Sequence, residues 1–249
     1  SENIYWSGGY DQPRRESYIT YAPEEDGRVF AAAAYGETVC DRLTASTAAQ
    51  GYEAMGYRVV GAINGDFYDT ATGYPLGVLI SGGEILSGSS NYYAVGFRED
   101  GSVVMGSPNL SIAVTDWYGQ TLPLAAVNKP RVEGGGVTLM TYDYNASHTI
   151  GAKTAGVSVV CTILDGDAAI GGELTVLVEQ VLEQTAEEAA ALTLREDQVV
   201  LAAAATGREE GLAFLRGLVP GTQAAVSFTA ADDWYGVTEA VGAMYLLVE

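Results

Sequence analysis

The residues of this chain best suited to chemistry lie in the run Asn64-Gly65-Asp66-Phe67-Tyr68. Asn-Gly is a turn dipeptide, because both residues tolerate a positive φ. Three interpretations fit the run. Asp66 acts as a general acid or base, or as a metal ligand, while Asn64 donates a hydrogen bond to a substrate oxygen. Alternatively, Asp66 only caps a turn above packed aromatic rings, or the rings stack on a sugar without any chemistry. The residue types alone leave all three open.

A second polar run, Asn128-Lys129-Pro130-Arg131, also follows an apolar segment. Arg131 can grip a phosphate through its planar guanidinium, and Lys129 adds a point charge. Basic residues number 12 against 32 acidic ones, so two close together are informative. A salt bridge at the rim of the domain explains them equally well. Glycosidic chemistry commonly needs a second carboxyl group, for which the candidates are Asp69, Glu133, Asp143 and Glu239.

Composition excludes several classes of protein. A net charge of −20 argues against binding to nucleic acid or to anionic membranes. The single histidine and the absence of a CxxC pair argue against the usual zinc sites. The chain has no G-x-S-x-G, P-loop or dinucleotide fingerprint, and its apolar runs are too short to span a bilayer. We expect Cys161 to be a buried free thiol rather than the partner of Cys40 in a disulfide.

The first third of the chain must position the 64–68 run. Apolar spacing predicts a helix over residues 41–55 with Gly56 as its C-cap. Strands are predicted at 28–35 and 57–63, the second of them buried. This strand–helix–strand unit would place Asn64-Gly65-Asp66 at the C-terminal end of a strand, where open α/β sheets bind ligands.

These patterns predict an α+β fold, a mixed β-sheet with few helices and a β-rich inserted subdomain. Residues 1–150 form the N-terminal part of the main domain, and residues 151–230 form the insertion. Residues 231–249 hold an apolar strand that returns to the main domain. A domain rarely ends inside its most apolar strand, so we expect either a central closing strand or a chain that continues.

The 64–68 run, with Gly73-Tyr74-Pro75-Leu76-Gly77 and Ser81-Gly82-Gly83-Glu84, resembles the phosphodiester glycosidase family. In that family a strand leads into Asn-Gly-x-Phe-Phe, then a Pro-x-Gly loop and an apolar strand that ends at a glycine turn. Tyr68 replaces the second phenylalanine here. Residues 128–131 and 240–248 are similar to later segments of bacterial members. The Arg-Thr-Ala-Ile-Gly and Asp-Gly-Gly-Gly-Ser motifs that follow in the family do not occur before Glu249, so the resemblance implies the N-terminal part of such a domain.

The resemblance implies hydrolysis of a sugar-1-phosphate diester of the N-acetylglucosamine type, in a glycan or a cell-wall polymer. Asn64 and Asp66 are the implied catalytic residues, which position or protonate the scissile oxygen. The implied substrate-binding residues contact the phosphate or face the sugar ring: Gly65, Tyr68, Tyr74, Gly77, Asn128, Lys129 and Arg131. No cofactor is implied, although a divalent cation is compatible with the site.

We therefore expect a bacterial hydrolase that is extracellular or attached to the cell surface. Its partners would be a sugar phosphodiester or glycan and the C-terminal remainder of the same protein, with no nucleic acid and no membrane insertion. One alternative is a non-catalytic carbohydrate-binding or cell-surface module, favoured by 16 tyrosines against five phenylalanines. Another is an assembly domain whose strand at 237–249 pairs with a partner.

Overall fold

The computed structural model describes residues 2–5, 14–17, 19–20, 29–89 and 92–243. The α-helices of the described residues are α1 (Ala45–Ala54), α2 (Ala186–Ala190) and α3 (Glu209–Gly217). The strands are β1 (Glu2–Tyr5), β2 (Arg14–Ser17), β3 (Leu79–Ser81), β4 (Glu84–Ser87), β5 (Tyr93–Arg98), β6 (Val103–Gly106), β7 (Ser111–Thr115), β8 (Thr121–Leu124), β9 (Ala126–Val127), β10 (Thr138–Thr141), β11 (Gly156–Gly166), β12 (Glu173–Gln184), β13 (Gln198–Ala204), β14 (Gln223–Thr229) and β15 (Val237–Ala243). Strands thus outweigh helices, in keeping with the predicted α+β class with few helices.

The larger sheet has eight strands in the order β8-β7-β14-β12-β11-β13-β10-β9. Its pairs are antiparallel except for β9 and β10, which run parallel, so the sheet is mixed as predicted. The two edge strands β8 and β9 are separated in sequence by Ala125 alone. One residue cannot cross a flat sheet of this width, so the sheet must roll up toward a barrel.

The smaller sheet has the order β4-β3-β15-β5-β6, and all of its pairs are antiparallel. β15 lies at its centre, as expected of a closing strand; the remaining residues of that predicted strand, 244–248, lie outside the described residues. The two sheets are joined through β4. Gly88 and Val127 exchange backbone hydrogen bonds of 3.2 and 2.9 Å, and Ile85 N donates to Ala168 O at 2.7 Å.

The core is built by strands that are buried on both faces. In β13 all seven residues are buried. Val199, Leu201 and Ala203 belong to one apolar cluster, while Val200 and Ala202 belong to another on the opposite face. This is the continuous apolar pattern of a fully covered strand.

The segment 151–230 supplies β11 to β14, which share one sheet with β7 to β10 from earlier in the chain. Its status as an inserted subdomain stays a prediction.

Two predicted strands that flank α1 are wrong. Residues 57–63 form no strand, and Val60 and Ile63 are 74% and 73% exposed. The cause is tertiary, because β15 pairs with β3 and β5 and leaves no position beside itself for this segment. Residues 29–35 form no strand either; there Ala33 N donates to the carboxylate of Glu239 at 2.8 Å instead of to a neighbouring strand.

The helix was predicted more closely than the strands beside it. α1 begins after Thr44, whose side chain accepts from Thr47 N, and none of its residues is buried. The C-cap is Met55, and Gly56, the predicted cap, follows it with a φ of 95°, the left-handed conformation that ends many helices.

Candidate functional site

The residues that follow Asp66 form a short ordered hairpin, here called the 67–76 hairpin. Tyr68 and Pro75 pair as an antiparallel bridge. Leu76 N donates to Phe67 O at 2.8 Å, and Asp69 N donates to Tyr74 O at 2.9 Å. The polar run of the sequence therefore continues into a defined loop rather than a loose one.

Asp66 closes the base of this hairpin next to β15 of the smaller sheet. Its Oδ1 accepts from Phe67 N at 2.7 Å, and its Oδ2 accepts from Gly77 N. A Cβ atom placed on Gly77 or on Gly242 of β15 would lie 2.6 or 2.5 Å from Asp66 Oδ2, so only glycine permits this approach. Burial raises the pKa of Asp66, while the two backbone hydrogen bonds and the charge of Lys129 act in the opposite direction. Asp66 therefore caps a turn, as in the second interpretation of the sequence, and it also carries a carboxyl group whose pKa is raised.

Lys129 reaches the same loop from the end of β9. Its Nζ donates to Leu76 O and lies 5.0 Å from the ring centroid of Tyr92. Burial lowers the pKa of Lys129 to about 8, and the nearby charge of Asp66 opposes that shift. The structure thus brings together Asp66, Gly77 and Lys129, three of the residues predicted from the sequence.

Asn128 holds Lys129 in position and is itself buried. Its Nδ2 donates to Leu86 O at 2.8 Å and to Thr141 Oγ1 at 2.7 Å, while its Oδ1 accepts from Thr141 N at 2.8 Å. Its φ of 49° turns the chain, a conformation that asparagine tolerates better than most residues. Because these bonds engage the side-chain amide inside the fold, Asn128 is a positioning residue in this structure.

Arg131, by contrast, lies within the fold and away from the loop. Only 3% of it is exposed. Its guanidinium donates to Thr154 O at 2.5 Å and to Ser158 Oγ at 3.2 Å. Burial lowers its pKa. The phosphate contact predicted for Arg131 needs a guanidinium that faces solvent, which this arrangement does not provide.

The remaining predicted residues differ in their access to solvent. Asn64, Gly65 and Tyr68 are exposed. Tyr74 is half-buried and packs against the apolar cluster that contains Tyr144, and burial raises its pKa. Asn64 and Tyr68 can therefore meet a ligand directly, whereas Tyr74 supports the hairpin from beneath.

Sequence reasoning missed two residues at this site. The guanidinium carbon of Arg42 lies 5.6 Å from the centroid of the Tyr68 ring, and its Nη2 donates to Thr70 O at 2.8 Å. Tyr92 lies beside Lys129. Neither belongs to a motif. Arg42 precedes α1 and Tyr92 precedes β5, and the tertiary fold brings both of them here.

Carboxylates gather at a second place, around the turn between β3 and β4. Glu84 and Asp143 line a cleft of about 370 Å³ together with Asp167 and Glu196. Burial, followed by the charges of neighbouring carboxylates, raises the pKa of Glu84. In the part of the chain that the structure describes, no group of three or more His, Cys, Asp or Glu residues is arranged to hold a metal ion.

The two cysteines are both free thiols. Cys161 is fully buried, which confirms the expectation for that residue. Among the described residues, no helix combines the length and the apolar character needed to cross a membrane.

The sequence profile described as Phosphodiester glycosidase matches residues 57–194. Among solved structures, a hypothetical protein from Synechocystis is similar with a TM-score of 0.62 and 19% identity, over 88% of this chain and 36% of that chain. A second, described as "Putative exported protein" from Burkholderia pseudomallei K96243, has a TM-score of 0.51 and 17% identity, over 87% of this chain and 45% of that chain. These likenesses concern the fold alone, and the chain spans less than half of either protein. No curated protein is significantly similar in sequence.

The matched range contains the 64–68 run, the 67–76 hairpin and Lys129. It covers more than half of the 249 residues. The chain therefore belongs to the phosphodiester glycosidase family.

Proposed function

We propose that this protein hydrolyses a sugar-1-phosphate diester of the N-acetylglucosamine type, in a glycan or a cell-wall polymer, at the site formed by Asp66, Gly77 and Lys129. One observation carries the proposal. Lys129 is a half-buried cation, fixed by the carbonyl of Leu76 beside the family's characteristic loop. Such a group binds a phosphate more strongly than a fully solvated lysine does, because a lower local dielectric strengthens the attraction.

The chemistry of the leaving group explains why a cation matters most. In the proposed reaction water attacks the anomeric carbon and loses one proton to the solvent. The bond from that carbon to the phosphate oxygen breaks with its electron pair on the oxygen, and a phosphate monoester leaves. The second pKa of such a monoester is about 6, so it departs as an anion without needing full protonation. With a net charge of −20 the chain as a whole repels this group. Lys129 would supply the local attraction, and its pKa of about 8 keeps most of it charged at neutral pH.

Asp66 and Asn64 are assigned supporting roles. Asp66 is assigned as the proton donor to the scissile oxygen, a role that the upward direction of its pKa shift supports. Asn64 is exposed and can donate its amide to a substrate oxygen. The exposed ring of Tyr68 would face the sugar. Arg42, stacked on that ring, replaces Arg131 in the proposal as the second cation on the solvent side.

The test is hydrolysis of the methyl diester of N-acetylglucosamine 1-phosphate by the full-length protein, followed by chromatography of the released sugar. Lys129→Met should reduce kcat/KM by at least about 100-fold, the effect typical of losing one group that stabilises developing charge. Asp66→Asn keeps the shape of the side chain and should also reduce it. Hydrolysis unchanged in Asp66→Asn would remove Asp66 from the reaction, and hydrolysis unchanged in Lys129→Met would overturn the proposal.

The second candidate function is sugar binding without turnover. It is favoured by the exposure of Phe67 and Tyr68, at 59% and 49%, and by the engagement of both Asp66 oxygens with backbone N–H groups. Binding of the same diester without release of sugar would favour this candidate.

We also propose that the protein is bacterial and acts outside the cell or at its surface. The description of the similar Burkholderia structure as an exported protein is in line with this location. Fractionation of the producing cells, with detection by an antibody, would test it, and recovery from the cytoplasm alone would contradict it.

A further inference from the structure

The tip of the hairpin between β7 and β8 presents two large aromatic side chains to solvent. Trp117 is 67% exposed and Tyr118 is 72% exposed. Trp234, for comparison, is 1% exposed and belongs to the core. Adjacent exposed aromatic residues supply apolar surface on which a ligand can pack.

This tip is held rigidly. Asp116 Oδ1 accepts from Tyr118 N at 2.9 Å and from Gln120 N at 2.8 Å. Asp116 N also donates to Gln120 O at 2.9 Å, and Gly119 N donates to Asp116 O at 3.0 Å. Gly119 takes a φ of 82°, which closes the turn. The backbone beneath the two rings is therefore ordered before a ligand arrives, which lowers the entropic cost of binding.

A cleft of about 460 Å³ lies between this tip and α3. That volume is within the range of about 300–1,000 Å³ found for small-molecule sites. The side chains that can contact a ligand there are those of Asp116, Tyr118, Gln120, Thr121, Glu210 and Phe214. They combine aromatic surface with amide, hydroxyl and carboxylate groups in one depression.

The charges of the cleft select among ligands. Asp116 and Glu210 are acidic, and no lysine or arginine belongs to the described lining. A phosphate or any other anion would be repelled here. A pyranose sugar fits these groups, because its C–H face packs on an aromatic ring while its hydroxyls donate to carboxylates and exchange hydrogen bonds with amides.

We propose that Trp117, Tyr118 and the adjoining cleft form a binding site for the neutral pyranose units of a glycan. The lining of this cleft shares no residue with the site formed by Asp66, Gly77 and Lys129. The inference does not depend on the proposed hydrolysis, since an uncharged glycan can bind here whether or not a phosphodiester is cleaved at the loop.

The test is titration of the chain with two neutral oligosaccharides, the hexasaccharides of N-acetylglucosamine and of glucose, followed by calorimetry and tryptophan fluorescence. Trp117→Ala and Tyr118→Ala should each weaken binding by up to about tenfold, the usual contribution of one well-placed aromatic contact. Glu210→Ala, which alters only the cleft, should weaken binding as well. Tyr235→Ala, at an exposed aromatic residue outside the cleft, is the matched control and should bind as the wild type does.

Three results would overturn the inference. The first is that neither sugar binds at concentrations up to about 10 mM, near the weakest useful affinity. The second is that Trp117→Ala binds as tightly as the wild type while its circular dichroism shows the same fold. The third is that Trp117→Ala abolishes self-association in sedimentation experiments while sugars have no effect, which would make the tip a protein interface. Each result is independent of the diester assay, so this inference and the proposed hydrolysis can fail separately.

Discussion

Replacing Lys129 by methionine should raise the stability of this protein and reduce its activity. Burial lowers the pKa of Lys129 from its ordinary value of 10.5 to about 8. That difference corresponds to about 3 kcal/mol, at about 1.4 kcal/mol for each pKa unit. The fold therefore holds a charge that the unfolded chain would hold more easily, and methionine removes that cost while keeping much of the side-chain volume.

The sign of the pH dependence follows from the direction of the shift. Because the folded pKa lies below the unfolded one, the cost is complete below about pH 8 and disappears as the pH rises to 10.5. Relative to Lys129→Met, the free energy of unfolding of the wild type should rise by about 3 kcal/mol between neutral pH and about pH 10.5. At neutral pH, the Lys129→Met variant should lose hydrolysis of the diester.

Urea denaturation at a series of pH values measures this difference directly. Subtracting the variant's free energy of unfolding from that of the wild type cancels the contributions of groups that titrate in both proteins. Lys153→Met, at an exposed lysine, is the matched control for removing one positive charge without burial. A wild-type-minus-variant difference that stays constant to within about 0.5 kcal/mol would refute the buried charge of Lys129 and, with it, the electrostatic basis of the proposed site.

Three further predictions test the surroundings of the site. Gly242→Ala would place a Cβ atom 2.5 Å from a carboxylate oxygen of Asp66 and should lower the free energy of unfolding by about 1–3 kcal/mol. Gly51→Ala, whose Cβ meets nothing within 4 Å, is the control and should not lower it. Equal losses of stability in the two variants would contradict the reasoning. Arg131→Lys keeps the charge but loses buried hydrogen bonds, so stability should fall by about 1–3 kcal/mol with kcat/KM per folded molecule unchanged; a tenfold drop in that ratio would restore a phosphate role for Arg131. Burial raises the pKa of Cys40 to about 11 and that of Cys161 to about 12. Iodoacetamide at about pH 8 should therefore label both thiols in urea and neither thiol in the folded protein, as read by mass spectrometry. Rapid labelling of a thiol in the folded protein would argue against the burial of that thiol.

Some of the regular structure follows from local patterns in the sequence. The apolar run at 199–204 shows no alternation of apolar and polar residues, and the structure places it in β13, a strand covered on both faces. The hairpin between β5 and β6 follows from Glu99-Asp100-Gly101, where Gly101 takes a φ of 80°. These features succeed because turn geometry and side-chain period are properties of a few consecutive residues.

The same reasoning failed for residues 57–63, whose apolar composition predicted a buried strand. A strand needs a partner, and partners are chosen by pairings distant in sequence. Here β15 occupies the centre of the smaller sheet between β3 and β5, which are about 140 to 160 residues away in the chain. A local window carries no information about such competition.

The sequence by itself determined the family, the α+β class with few helices, and the loop at Asn64-Gly65-Asp66 that carries the family resemblance. The tertiary structure decided which basic side chain contacts that loop. Lys129 and Arg131 are two residues apart and chemically alike, yet Lys129 reaches Leu76 while Arg131 is enclosed beside Thr154. The reason is the positive φ of Asn128 and its buried bonds to β4 and β10, which direct the chain as it leaves β9.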